Sequence, residues 1–325
     1  MDGIHKLLAN LRDKYSQREI AEALGVTTRT LRRWEAKQVE PPTFLIEALR
    51  QLLVRSDAVT PVNKHAFKHS GNWTREQLLL AFHFYCQTPF GKLHSKNKSV
   101  IDLAARIGRT PSALAMKCVN FASLDPTIRD SGRRGLGNTS AMDKHIWVEF
   151  HADWEGLVEE CSTLLSQLQG SANQEVDNAL EEDTASADFT GEVRTSLVKQ
   201  RVKQSFFRKS VLSSYGHTCC ISGVSDHRFL VASHIVAWKD DATIRLHPGN
   251  GLCLSALHDK AFDKHLFSLT DDYRIVLSKQ LRRTKDHLLK EVFLPTEDMQ
   301  ITLPEKFVPE QSFIARHRHI MLSED

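Results

Sequence analysis

The chain has 325 residues, 41% of them hydrophobic, with a formal net charge of +3. That length exceeds one ordinary domain and predicts roughly two or three, with enough apolar residues to bury real cores. No apolar run reaches the span of a bilayer, the first residues lack a signal-peptide pattern, and the six cysteines are scattered without a C-x-x-C pair; these features argue against a membrane protein, a disulfide scaffold and a cysteine zinc site, and a cytoplasmic protein is expected. The mild positive charge permits a nucleic-acid partner, and local basic clusters say more than the sum.

The first expected helix covers residues 2–13, with Ile4, Leu7, Leu8 and Leu11 at helical spacing. Ser16 and Glu19 form a capping box ahead of a second helix, Ala21 is small where two helices cross, and Gly25 permits a sharp turn. Thr27 or Thr28 caps the next helix, which buries Leu31 and Trp34 and shows Thr28, Arg29, Arg32 and Arg33 to the outside. This stretch resembles a helix-turn-helix of the phage-repressor type, and the resemblance implies that those four residues meet DNA. Pro41-Pro42 opens a further helix over 43–54, completing a domain at 1–55, and residues 55–70 read as a linker.

A second helical module is expected over 71–169. It starts at Trp73-Thr74-Arg75-Glu76, with helices at 77–87, 97–106 (Ile101, Leu103 and Ala104 inward) and from Thr110-Pro111, then a long helix over 142–169 that may be broken. The pattern W-T-x-E followed by I-x-x-L-A-x-x-I-G-R-T-P-S-A-L-A-M-K resembles a Myb-like or winged helix-turn-helix. It implies that Arg109, Thr110, Ser112 and Lys117 could meet phosphates, with Arg133 and Arg134 adding a basic loop. Residues 170–190 are acidic and almost free of aromatics, the composition of a flexible tether. A basic helix follows over 194–215, carrying Lys199, Arg201, Lys203, Arg208 and Lys209, with Val198, Val202, Phe206 and Leu212 on its apolar side. Arg201 and Arg208 are expected on the DNA backbone.

From there the chain changes period. Phe229 to Ala232 is a strand-type run ending at Ser233-His234-Ile235; after a long loop, Asn250-Gly251-Leu252 opens a second run; a helix begins near Ser255 and contains Leu257-His258-Asp259-Lys260-Ala261-Phe262-Asp263. A hairpin at 266–277 and a basic helix at 309–319 follow. Strand, loop, strand, helix, with His, Asn and His in that order, resembles the HNH endonuclease family, in the branch with an S/A-H-I first motif, an N-G-L second motif and an L-H-x-x-x-F-D ending. The resemblance covers about the last third of the chain or more and implies an α+β multidomain protein: all-α helix-turn-helix modules, then a ββα-metal nuclease domain at 191–325.

The resemblance also implies roles. His234 would be the general base, His258 would bind or lie beside a divalent ion, and Asn250 would orient the base or, as second choice, ligate the metal. Many relatives place Asp or His before the base as a ligand, whereas this chain has Ser233. A ligand must then come from elsewhere: Asp263 first, Asp259 next, with Asp240, Asp241 and His247 nearby. His247 and His265 are expected at the surface. Mg²⁺ or Mn²⁺ suits such a set, with Ni²⁺ or Zn²⁺ as further options. The implied function is metal-dependent cleavage of double-stranded DNA, in a setting of restriction or phage defence. One site cuts one strand, so a homodimer is expected for a double-strand break. The alternative is a DNA-binding transcriptional regulator with an inactive nuclease core.

Overall fold

The computed structural model describes residues 8, 10–12, 17, 20–21, 28–36, 71–130, 139–169 and 191–324. The chain divides into two compact units, 1–66 and 67–325. In the first, helix α1 (Thr28–Glu35) buries Leu31 and Trp34 and turns Thr28 and Arg32 outward. Leu8, Leu11, Ile20 and Ala21 are buried in the same unit. The expected helix at 43–54, the linker at 55–70, and the side chains of Arg29 and Arg33 lie outside the described residues.

The second unit is built around helix α2 (Arg75–Gln87). Its stretch Leu78-Leu79-Leu80-Ala81-Phe82 is buried all round, the signature of a central helix rather than a one-sided amphipathic one. Thr74 and Gln77 close a capping box at its start. Around it stand α3 (Lys98–Arg106), α4 (Pro111–Ala122), the short α5 (Pro126–Asp130), α6 (Ala141–Ala152) and α7 (Trp154–Gln169). The long helix expected over 142–169 is two helices, because the chain breaks at Asp153. Phe82 meets Phe121, Trp147 and Phe150 at centroid distances of 5.0, 5.4 and 4.6 Å. Fully burying each such ring contributes about 1.5–3 kcal/mol.

Helix α8 (Gly191–Ser214) packs along α2 and α7. The helical stretch before residue 170 and the stretch from 191 onward therefore share one core; residues 170–190 lie outside the described residues, as do 131–138 with Arg133 and Arg134. Strand β1 (Leu230–His234) pairs antiparallel with β2 (Gly251–Ser255), Leu230 facing Ser255 and His234 facing Gly251. Helix α9 (Ala256–Asp263) packs across both strands. A second hairpin, β3 (Phe267–Leu269) with β4 (Ile275–Leu277), follows, then α10 (Lys279–Arg282), α11 (His287–Phe293) and α12 (Gln311–Glu324), the last lying on β3. Among the described residues no helix is long and apolar enough to cross a membrane.

Several expected positions move once packing is known. Ile101 and Val198, expected inward, are both 42% exposed, while Val100 and Phe207 take the buried places. Lys117, expected on phosphate, is buried; its ammonium donates to both carboxylate oxygens of Asp143 at 2.8 and 3.0 Å. Arg109 is also engaged: it donates to Gln77 and to the Asn72 carbonyl, and lies 4.8 Å over Trp73. Ser112 and Thr110 are exposed, and Thr110 caps α4. Cys219 and Cys220 are buried free thiols, Cys220 tied through its N–H to the Cys253 carbonyl.

One buried cation ties distant parts of this unit together. Lys306 is fully buried, and its ammonium donates to the carbonyls of Tyr85, Cys86 and Thr88 and to the Ser213 hydroxyl, at 2.6, 3.0, 2.8 and 3.2 Å. It thus satisfies orphan carbonyls at the C-terminus of α2, where the helix dipole favours a positive charge. Replacing Lys306 with Met removes the donor and strands these buried acceptors, at about 1–3 kcal/mol for each group left unsatisfied. The expected outcome is a clear fall in the urea midpoint of Lys306→Met measured by circular dichroism.

Candidate active site

The site is the far end of β1 and the loop that leaves it. The His234 ring stacks on Phe207 of α8, with centroids 3.7 Å apart and planes 10° from parallel. Gly251, opposite His234 in the strand pair, permits this approach of α8. A β-carbon there would collide with Val211 and come within 2.9 Å of the Phe207 ring. The glycine of the N-G-L motif is therefore required by helix packing.

The His234 Nε2 lies 2.9 Å from the carbonyl oxygen of Arg245. A carbonyl only accepts, so Nε2 carries the proton and Nδ1 keeps its lone pair. Burial pushes the His234 pKa below the usual imidazole range, with the Arg245 carbonyl pulling weakly the other way. The ring is thus neutral at pH 7, with a nitrogen able to take a proton.

Asn250 builds the loop that carries this carbonyl. It is fully buried; its Oδ1 accepts from Val236 N–H at 2.8 Å, and its Nδ2 donates to the Val236 carbonyl at 3.1 Å and the Ile244 carbonyl at 3.5 Å. Its own carbonyl accepts from Ile235 N–H at 2.9 Å. Asn250 therefore clamps both ends of the excursion between β1 and β2. Its side chain is fully buried, and both its amide oxygen and its amide nitrogen are engaged with the loop.

On α9, His258 and Asp259 face different surroundings. His258 is buried, its ring 5.3 Å from Phe293, and its Nδ1 is 2.7 Å from the Ser255 hydroxyl. Ser255, expected to cap α9 with its side chain, makes no such bond and serves the imidazole instead. Burial lowers the His258 pKa, and its Nε2 is buried with no hydrogen-bond partner. Asp259 is the α9 residue beside Ser233. Burial raises its pKa, the Ser233 hydroxyl opposes this, and the charge of Asp263 one turn on raises it further. Asp259 and Asp263, one turn apart on α9, are suitable oxygen donors for a divalent ion, while the His258 Nε2 lies in a separate, buried surrounding against Phe293. Among the described residues no group of three His, Cys, Asp or Glu forms a cage, so an ion here would need water and substrate oxygens to complete its shell.

Other expected residues are placed as follows. Asp263 is exposed at the end of α9, and Asp241 accepts from Arg316 and from Thr243. His247, expected at the surface, is set among His151, Trp154 and Phe313, and burial brings its pKa to about 3. His265 is half-buried against His317 and 3.4 Å from Glu324. Arg201 is exposed and Arg208 half-buried on α8. Arg32 is exposed and donates to Gln17 at 3.0 Å. Phe207, Arg245 and Glu155 were not singled out from sequence. Their contacts join residues far apart in the chain, and only Phe207, next to Phe206 in an apolar helix face, carried any local signal.

Comparison with known families agrees with this geometry in two places. A helix-turn-helix family model matches residues 8–53, and an HNH endonuclease family model matches residues 219–270. A search of curated proteins finds no match. The second match contains His234, Arg245, Asn250, His258, Asp259 and Asp263. The chain therefore carries a helix-turn-helix segment at its N-terminal end and an HNH endonuclease segment in its last third, within an α+β multidomain architecture.

Proposed function

We propose that this protein is a metal-dependent DNA endonuclease in which His234 is the general base. The observation that carries the reading is the hydrogen bond from His234 Nε2 to the Arg245 carbonyl, which leaves Nδ1 free to take a proton. Water attacks the phosphorus in line, Nδ1 accepts its proton, and the bond from phosphorus to the 3′ oxygen breaks. Phe207 holds the ring plane, and Asn250 keeps the loop closed. Asp259 and Asp263 would hold the ion, Mg²⁺ or Mn²⁺ before Ni²⁺ or Zn²⁺. When bound, it neutralises charge building on the phosphate and the leaving oxygen.

The helix-turn-helix segment supplies docking on double-stranded DNA through Thr28, Arg29, Arg32 and Arg33, and Arg201 and Arg208 of α8 supply basic contacts within the second unit. Two copies acting together account for a double-strand break. Restriction or defence against phage is the setting that this pairing of parts suggests. A cytoplasmic location fits a DNA substrate.

Four outcomes test the reading. Supercoiled plasmid is nicked with Mg²⁺ or Mn²⁺ and spared with EDTA, and His234→Ala lowers the rate about 10²–10⁴-fold with DNA affinity unchanged; a folded wild-type chain that binds DNA and never cuts points instead to a regulator. Because the neutral ring is the active form and its pKa is depressed, the cleavage rate holds its plateau below the pH at which a free imidazole protonates, and falls only at more acid pH. Asp259→Asn raises the Mg²⁺ needed for half-maximal cleavage by about tenfold. Arg32→Ala weakens DNA binding and reduces the slope of log affinity against log salt by about one.

A further inference from the structure

The contact that fixes the general base is itself held from outside the matched nuclease segment. Arg245 presents its carbonyl to His234 and its guanidinium to Glu155, at the start of α7. The Arg245 Nε is 2.7 Å from Glu155 Oε2, and its Nη2 lies on the same carboxylate. The guanidinium also lies 5.0 Å over the Trp238 ring, which stands edge-on to His234 at 5.5 Å. Glu155 also pairs with Lys203, one helical turn before Phe207 on α8. One carboxylate thus braces both sides of the imidazole slot: the loop through Arg245 and the stacking helix through Lys203.

The pair is more than a solvated surface contact. The Glu155 and Arg245 side chains are 25% and 23% exposed. A two-bond guanidinium–carboxylate fork is directional as well as attractive, so it sets the position of the arginine and not only its average location. Glu155 also sits in the first turn of α7, where the helix dipole favours a negative charge.

We propose that Glu155 is a positioning residue for the cleavage reaction: through Arg245 it holds the carbonyl that selects the Nε2–H tautomer of His234. The helical stretch before the nuclease segment is then part of the active site's support, not only a spacer. This rests on the endonuclease reading for its effect on rate, but its effect on the His234 tautomer can be seen without any activity.

The experiment uses the full chain as wild type, Glu155→Gln and Arg245→Lys. The first variant keeps the shape of the carboxylate and removes its charge. The second keeps the positive charge and removes the fork, so a folding failure in one leaves the other to report. Nitrogen-15 spectra of the histidine rings read the His234 tautomer, assigned with His234→Gln, and plasmid nicking with Mn²⁺ reads kcat and KM. The expected result is a shift of His234 from one Nε2–H tautomer to a mixture, with kcat down about 10–100-fold and KM for DNA unchanged. An unchanged tautomer in both folded variants overturns the proposal, whether or not kcat falls. A wild-type chain that cuts nothing overturns the endonuclease reading, and the spectra still decide what Glu155 does.

Discussion

An imidazole can take a proton from water only through a nitrogen that the fold leaves bare. Here the choice is made by a backbone carbonyl, that of Arg245, which accepts from His234 Nε2. The other main features of the site keep that carbonyl in place. Asn250 stitches the loop at Val236 and Ile244, Gly251 lets α8 come close, and Phe207 closes over the ring. The His234 ring is oriented by packing and by backbone, with no carboxylate in contact with it among its described hydrogen bonds.

The same economy of charge runs through the second unit. Its interior carries few ionic groups, and each joins segments far apart in sequence. Lys306 gathers the end of α2 and a hydroxyl of α8, and Lys117 joins α4 to Asp143 of α6. Breaking a buried pair of this kind leaves an uncompensated charge or an unsatisfied acceptor, and for that reason such ties are costly to lose even where a hydrophobic substitute for both partners would be neutral. Lys306 ties the C-terminal stretch to the helical one, and Glu155 of α7 does the same through Arg245 and Lys203.

Several basic residues that seemed destined for phosphate serve instead in this internal wiring. A lysine on a motif-bearing helix looks the same in sequence whether it faces solvent or a neighbouring helix. Lys117 and Arg109 both lie over Trp73, Lys117 pairing with the buried Asp143 and Arg109 with the buried Gln77. His247 follows the same logic: with Trp154 and Phe313 around it, it is an interior aromatic and not a surface imidazole. Arg32 and Arg201 are exposed on their helices.

Local chemistry alone was enough to place helices such as α2, α3 and α4, the cap at Thr110, and the two hairpin strands, because periodicity, capping residues and turn residues act over a few positions. It was also enough to separate an N-terminal helix-turn-helix from a strand–loop–strand–helix unit. What it could not hold was any decision made between segments: that Asn250 spends its amide on the loop, that Asp259 of α9 comes beside Ser233 of β1, and that Glu155 reaches Arg245. Those outcomes depend on which surfaces meet when the core closes, and a hydrogen bond between residues ninety positions apart leaves no trace in the periodicity of either one.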